Sequence, residues 1–163
     1  MRWDRLFADL EGAAIDEHAD ERDALAEDLR DEQWSALGWT DLLGGAEVRL
    51  DVVGLGEIGG RVTGVGDVVL VQDDTTRIVV LPEAIAAVIG RDGRAAAAPT
   101  VSRTRRQVAR AVRDAGVEVR VVRRDGRTVD GVIVEVGSDF VQVAAVGRRV
   151  SLPWAWIAAL VPR

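Results

Sequence analysis

The sequence predicts an α+β protein, mainly β: two small five-stranded barrels in tandem, each preceded by a helix, with a long acidic helix in front. Three observations carry this expectation. The stretch EVRLDVVGLGEIGGRVTGVGDVVLV is echoed about seventy residues later by EVRVVRRDGRTVDGVIVEVGSDFVQV. Each copy is built from short Val, Ile and Leu runs punctuated by Gly and Asp, the pattern of closely spaced strands. Residues 2–31 instead contain no Pro and one Gly and place apolar residues at helical spacing.

The echo holds at a constant offset. Gly45, Glu47, Val48, Arg49, Gly60, Val65 and Gly66 recur 71 residues on as Gly116, Glu118, Val119, Arg120, Gly131, Val136 and Gly137. Ser138 is one inserted residue. At an offset of 72, Asp67, Val69, Val71, Arg77, Ile85, Ala86 and Ala87 recur as Asp139, Val141, Val143, Arg149, Ile157, Ala158 and Ala159. Self-similarity on this scale signals a duplicated structural unit. Strands are expected near 47–53, 57–65, 67–73, 76–81 and 84–89, and again near 118–124, 127–136, 139–145, 148–153 and 156–161. Five short strands in so few residues suggest a small, strongly bent barrel. Gly60 and Gly131 fall inside the second strand, where a glycine fits a sharp bend. Asp125-Gly126 is a two-residue hairpin signal.

The other elements are placed in order. Trp3, Leu6, Phe7, Leu10, Ala14, Leu25 and Leu29 form the apolar stripe of the N-terminal helix, assigned to residues 1–32. Trp34, Leu37, Trp39, Leu42 and Leu43 form a second short helical piece, closed by Gly44-Gly45. The first barrel spans 33–90 and residues 91–102 form a linker. The second barrel with its leading helix spans 103–163. Ser102 is the expected N-cap of that helix and Gly116 its stop. Val108, Ala111, Val112 and Ala115 are placed on one helix face, and Arg103, Arg106, Arg110 and Arg113 on the opposite one.

Composition narrows the function. The chain has 163 residues, no Cys, no Tyr and a single His, and all 21 basic residues are Arg. Schiff-base, thiol and tyrosine chemistry are excluded, and little is left for imidazole catalysis. His18 lacks a second His or Cys to complete a metal site. Asp73-Asp74 reads as turn chemistry, and Ser35, Ser102, Ser138 and Ser151 have no partnering base. Gly54, Gly56 and Gly59 spell GxGxxG, with Asp73 at dinucleotide-fingerprint distance. The run after Gly59, GRVTGVGDVVLV, is rich in Gly and β-branched residues, so the required helix has no place and a strand turn is expected. No enzyme activity, cofactor, metal or small-molecule substrate is expected. No apolar run reaches membrane-spanning length and no secretory signal opens the chain, so no membrane partner and a cytoplasmic location are expected. The excess of Arg, Ala, Val and Gly suggests a GC-rich bacterial genome such as that of an actinobacterium.

Net charge hides an asymmetry. Residues 1–46 hold 13 acids against 4 Arg, and residues 101–163 hold 12 Arg against 6 acids. The Arg face of the second leading helix, with Arg120, Arg123, Arg124 and Arg127, is the main candidate surface. Three readings of it stay open: a solvated face, a dock for the acidic N-terminal helix, or a phosphate-binding surface. Trp154 and Trp156 in LPWAWIAAL are placed on one side of a strand, as core or interface aromatics or as a base-stacking pair.

VRVVRRDGRTVDGVIVEVGSDFVQV resembles the first Sm motif: alternating apolar residues, Gly131 in strand two, Asp139 opening strand three. Gly60 and Asp67 hold the same places in the first unit. The chain thus resembles tandem Sm-like (LSm/Hfq-type, Sm/SH3-like) small β-barrel proteins over roughly 35–90 and 103–162. It is also similar to actinobacterial proteins, some labelled Fis-family transcriptional regulators, although it shows no helix-turn-helix of that type. The resemblance implies a fold that associates edge to edge through strands four and five, and hence an assembly or interaction module with itself or a protein partner. RNA or DNA binding is the alternative. The Sm family's RNA-contacting Asn and Ile-Arg-Gly-like turn have no counterpart here: the strands read DVVLV and DFVQV.

Overall fold

The computed structural model describes residues 22–45, 47–89 and 97–163. The apolar positions Trp3 to Ala14, His18 and residues 91–96 of the expected linker lie outside them. The chain divides into two compact units after Gly38. In the first, residues 22–35 form helix α1. It takes in Trp34, expected instead in a second helical piece. Asp31, Glu32 and Gln33 offer no break, and only at Gly38 does the chain meet one. The separate piece reduces to the 3-10 turn Trp39–Leu42 in the second unit. Leu25, Leu29 and Trp34 are exposed.

The second unit is one 11-stranded sheet. Its strands are β1 (Val48–Val52), β2 (Gly56–Gly66), β3 (Val69–Gln72), β4 (Arg77–Val80), β5 (Ile85–Ile89), β6 (Thr100–Val101), β7 (Glu118–Arg123), β8 (Thr128–Val136), β9 (Phe140–Ala145), β10 (Arg148–Pro153) and β11 (Ile157–Pro162). The order is β10-β9-β8-β7-β11-β4-β3-β2-β1-β5, antiparallel throughout, with β6 adding parallel to β2. The path is open: among the described residues no pair joins β5 to β10. Each expected strand lies within two residues of its place.

The two five-strand runs share strand order and the places where their ladders slip. The β2–β3 ladder slips between Val62 and Gly64, and the β8–β9 ladder between Ile133 and Glu135, 71 residues on. The β1–β5 ladder slips at Asp51/Val52, and β7–β11 slips between Ala159 and Ile157. Gly60 and Gly131 sit where the strands cross closely. A Cβ on Gly60 would lie 2.7 Å from the Gln72 carbonyl oxygen, and one on Gly131 2.1 Å from that of Ala144. Only a residue without a side chain permits that approach. At Asp125-Gly126 the hairpin differs from the two-residue form. Gly126 N–H donates to Arg123 O, Arg123 N–H donates to Arg127 O, and only Gly126 has positive φ. This is a three-residue loop, a type I turn followed by a glycine bulge, because a type I′ turn needs positive φ at two consecutive residues.

Helix α2 (Arg105–Asp114) packs on β8. Its N-cap is Thr104, not Ser102: Thr104 Oγ1 accepts from Gln107 N, and Gln107 Oε1 accepts from Thr104 N. This reciprocal box outcompetes a lone serine two residues earlier. Gly116, at φ 63°, follows the last turn. The buried face also differs from the expected one. Ala109 is fully buried with Val108 and Val112 against it, whereas Ala111 and Ala115 are exposed.

Two hydrophobic clusters fill the unit. Leu43, Val48, Leu50, Val52, Val62, Val69, Val71 and Val80 anchor one. Val119, Val121, Ile133, Val141, Val143, Leu152 and Ile157 anchor the other. They are stitched together: Val122, Ala158 and Ala159 join the first, Val68 and Leu81 the second. Burying a Val or Leu contributes about 1.5–3 kcal/mol, so the exchange couples the two runs strongly. No helix among the described residues is long and apolar enough to cross a membrane.

Candidate interaction surfaces

The two runs meet where β4 pairs with β11, Val80 opposite Ala159 and Val79 opposite Leu160. Leu81 N–H extends the joint to Ala158 O at 2.9 Å. Across it reaches Arg105, in the first turn of α2. Its backbone N–H donates to Asp67 Oδ2 at 2.6 Å, and its Nε and Nη2 donate to Asp67 Oδ1 at 3.0 and 2.8 Å. Its Nη1 pairs with Glu83 Oε1, and Arg124 Nη2 approaches the same oxygen at 3.9 Å. The guanidinium thus holds one carboxylate from the β2–β3 turn and one from the β4–β5 turn.

The titration behaviour is a consequence of this clamp. The Arg105 side-chain hydrogen bond holds Asp67 below the usual carboxylate range against a smaller opposing effect of burial. For Glu83, burial is the largest single influence and pushes the pKa up. The hydrogen bonds and the charges of Arg105 and Arg124 together outweigh it, and the net direction is down. Arg105 itself is raised, foremost by its hydrogen bond to Asp67. Arg105 is not among the arginines expected from sequence to matter. Its spacing to Val108, Ala109 and Val112 puts it on the buried side of the helix, and a wheel centred on Ala109 would have found it.

The eight arginines singled out from sequence do not form one open basic surface. Arg113 pairs with Asp114, Arg120 with Asp130, Arg123 with Asp125 and Arg124 with Glu83. The Arg120 fork donates to both Asp130 oxygens at 2.8 and 2.9 Å, and Arg163 adds a third bond to that carboxylate. These contacts, led by the Arg120 hydrogen bond, hold Asp130 low. Arg103, Arg106, Arg110 and Arg127 are exposed, and no ion pair engages them among the described residues. Arg106 and Arg110 line a shallow cleft of about 400 Å³ with Thr104, Gln107 and Ser138.

Trp154 and Trp156 do not share a face. Trp154–Trp156 is a 3-10 turn between β10 and β11 rather than part of a strand. The turn sends Trp154 into the core, 6% exposed, and leaves Trp156 51% exposed. Arg123 lies over the Trp156 ring at 6.0 Å. The GxGxxG residues cross a hairpin: Gly54 lies in the turn, and Gly56 and Gly59 lie in β2. Asp73 and Asp74 lie in the β3–β4 turn, where Asp73 Oδ1 accepts from Asp74 N–H.

Among the described residues the two ends of the sheet path are edges: β5 pairs with β1 alone, and β10 with β9 alone. Compared with protein-family models, curated proteins and solved structures, the chain matches none.

Proposed function

We propose that this is a non-enzymatic assembly module of Sm-like character: two small barrels descended from one duplicated unit, joined edge to edge, that associate with further copies through a remaining edge. The observation that carries the reading is the β4–β11 joint, an edge-to-edge contact already made within the chain, together with β5, an edge strand among the described residues and of matching chemistry. β5 begins Ile85-Ala86-Ala87 and β11 begins Ile157-Ala158-Ala159. An apolar, uncharged edge invites strand pairing. The test is solution mass across a concentration series. A multiple of the 17.5 kDa chain is expected, returning to the single-chain mass on Ala87→Lys, which charges an exposed edge position. A single-chain mass at every concentration refutes the reading.

A second reading, nucleic-acid binding, is favoured by Arg103, Arg106, Arg110 and Arg127, which are exposed and engaged by no ion pair among the described residues. Each phosphate contact contributes roughly −0.7 to −0.9 to the slope of log K against log salt. Arg106→Glu with Arg110→Glu is therefore expected to abolish salt-sensitive retention on RNA or DNA. Absence of retention by the unaltered protein at low salt removes this reading.

A further inference from the structure

Resting on the self-association reading, we propose which edge is used and with what symmetry: β5 pairs antiparallel with β5 of a second copy across a two-fold axis, and β10 does not take part. The two free edges differ in kind. In β11, flanked by β7 and β4, Ile157, Ala158, Ala159 and Leu160 are all buried. In β5, flanked by β1 alone among the described residues, Ala86 and Ala87 are exposed and Ile85, Val88 and Ile89 half-buried. The strand carries no charge and no proline, the devices that normally keep an edge from pairing. What β4 covers in one run is left uncovered in the other.

β10 is the counterpart of β4 but cannot repeat its contact. Pro153 stands at the place of Leu81, whose N–H donates to Ala158 O across the joint. Proline has no such donor. Ala155 stands at the place of Glu83, so half of the carboxylate pair that grips Arg105 is missing. Arg148 and Arg149 open the strand, both exposed. Charge and proline together blunt this edge.

β5 is complementary to itself. Turned antiparallel about Ala87, it sets Ile85 opposite Ile89, Ala86 opposite Val88 and Ala87 opposite its own copy. No like charges meet, and small side chains lie at the axis. A groove of about 520 Å³ runs along this edge, walled by Trp39, Pro82 and Glu83, the last already held by Arg105. Trp39, 43% exposed, lies ready to cover the partner strand. An isologous contact of this kind closes at two copies, whereas a β5–β10 contact is heterologous and propagates.

The chain has no cysteine, so introduced thiols report the contact directly. Residues opposite one another in an antiparallel pair have Cα atoms about 4.5–5.5 Å apart, within disulfide reach. Under mild oxidation Ala87→Cys is expected to form a covalent dimer at least tenfold faster than Val146→Cys, a fully exposed hairpin control. The head-to-tail alternative, in the register of the internal joint, sets Val88 opposite Ser151. A mixed disulfide between Val88→Cys and Ser151→Cys chains would overturn the two-fold pairing while leaving self-association intact. Ala87→Cys linking no faster than the control also overturns it. A single-chain native mass removes both this inference and the reading it rests on.

Discussion

Arg105→Met removes the charge that bridges the two five-strand runs and keeps an aliphatic stem of similar length. Hydrogen bonds to charged groups contribute roughly 1.5–3 kcal/mol when shielded, while exposed ion pairs contribute about 0–1 kcal/mol. The Arg105 side chain is 22% exposed and its carboxylate partners 38% and 39%, so solvent screening discounts the former figure heavily. The expected loss at neutral pH is about 1 kcal/mol. With a urea m-value of about 1–3 kcal/mol/M, the midpoint read by tryptophan fluorescence should fall by about 0.3–1 M. The pH dependence fixes the cause. Asp67 and Glu83 are depressed in the folded state, so their stabilisation is complete above their unfolded pKa values, about 3.9 and 4.3. It is lost as pH falls through the lower folded values. The gap between the parent protein and Arg105→Met should therefore shrink at about pH 3. Glu83→Gln should cost less in the Arg105→Met background than alone. Equal midpoints at neutral pH, or a deficit unchanged at pH 3, would refute the ion-pair argument and leave only packing of the stem.

Local geometry sets three further outcomes. Gly131→Ala forces a Cβ against the Ala144 carbonyl and should cost about 1–3 kcal/mol or more, with Gly60→Ala milder because its contact is longer; paired urea melts check the order. Trp154→Ala should cost about 3–5 kcal/mol as a buried aromatic, whereas Trp156→Ala should cost far less. Equal losses in thermal melts would contradict the divergence of the two indoles. Thr104→Ala removes the capping hydroxyl of α2 and should cost about 1 kcal/mol, measured by far-UV circular dichroism melting.

Local chemistry enforces what was legible in the sequence. Strand positions came from apolar runs bounded by Gly and Asp. The close crossings at Gly60 and Gly131 came from glycine inside a β-branched run. Hairpin arithmetic reaches further still. A turn centred on Asp125 sets Arg120 opposite Asp130, and Arg123 lies two residues from Asp125. Both arginines were therefore bound to meet acids rather than open a basic field. The aligned Pro82 likewise marked Trp154 as unsuited to a regular strand, since it stands at the start of the equivalent 3-10 turn.

The joint between the runs was not legible, and the reason is physical. Ile-Ala-Ala occurs in β5 and β11 alike, yet one is an edge and the other is flanked on both sides. A period-two pattern reports which faces of a strand are apolar, not which of its hydrogen-bonding edges are filled. What distinguishes the edges lies outside the strands. Leu81 keeps the donor that Pro153 lacks, and Glu83 offers the charge that Ala155 lacks. Asp67 meets Arg105 38 residues later in the chain. Each is ordinary alone, because a lone charge on a turn usually faces water. Only the register of β4 against β11 brings them to one place. The two five-strand runs therefore differ at Leu81 and Pro153 and at Glu83 and Ala155, the residues beside the strand that is paired with β11 in one run and is an edge in the other.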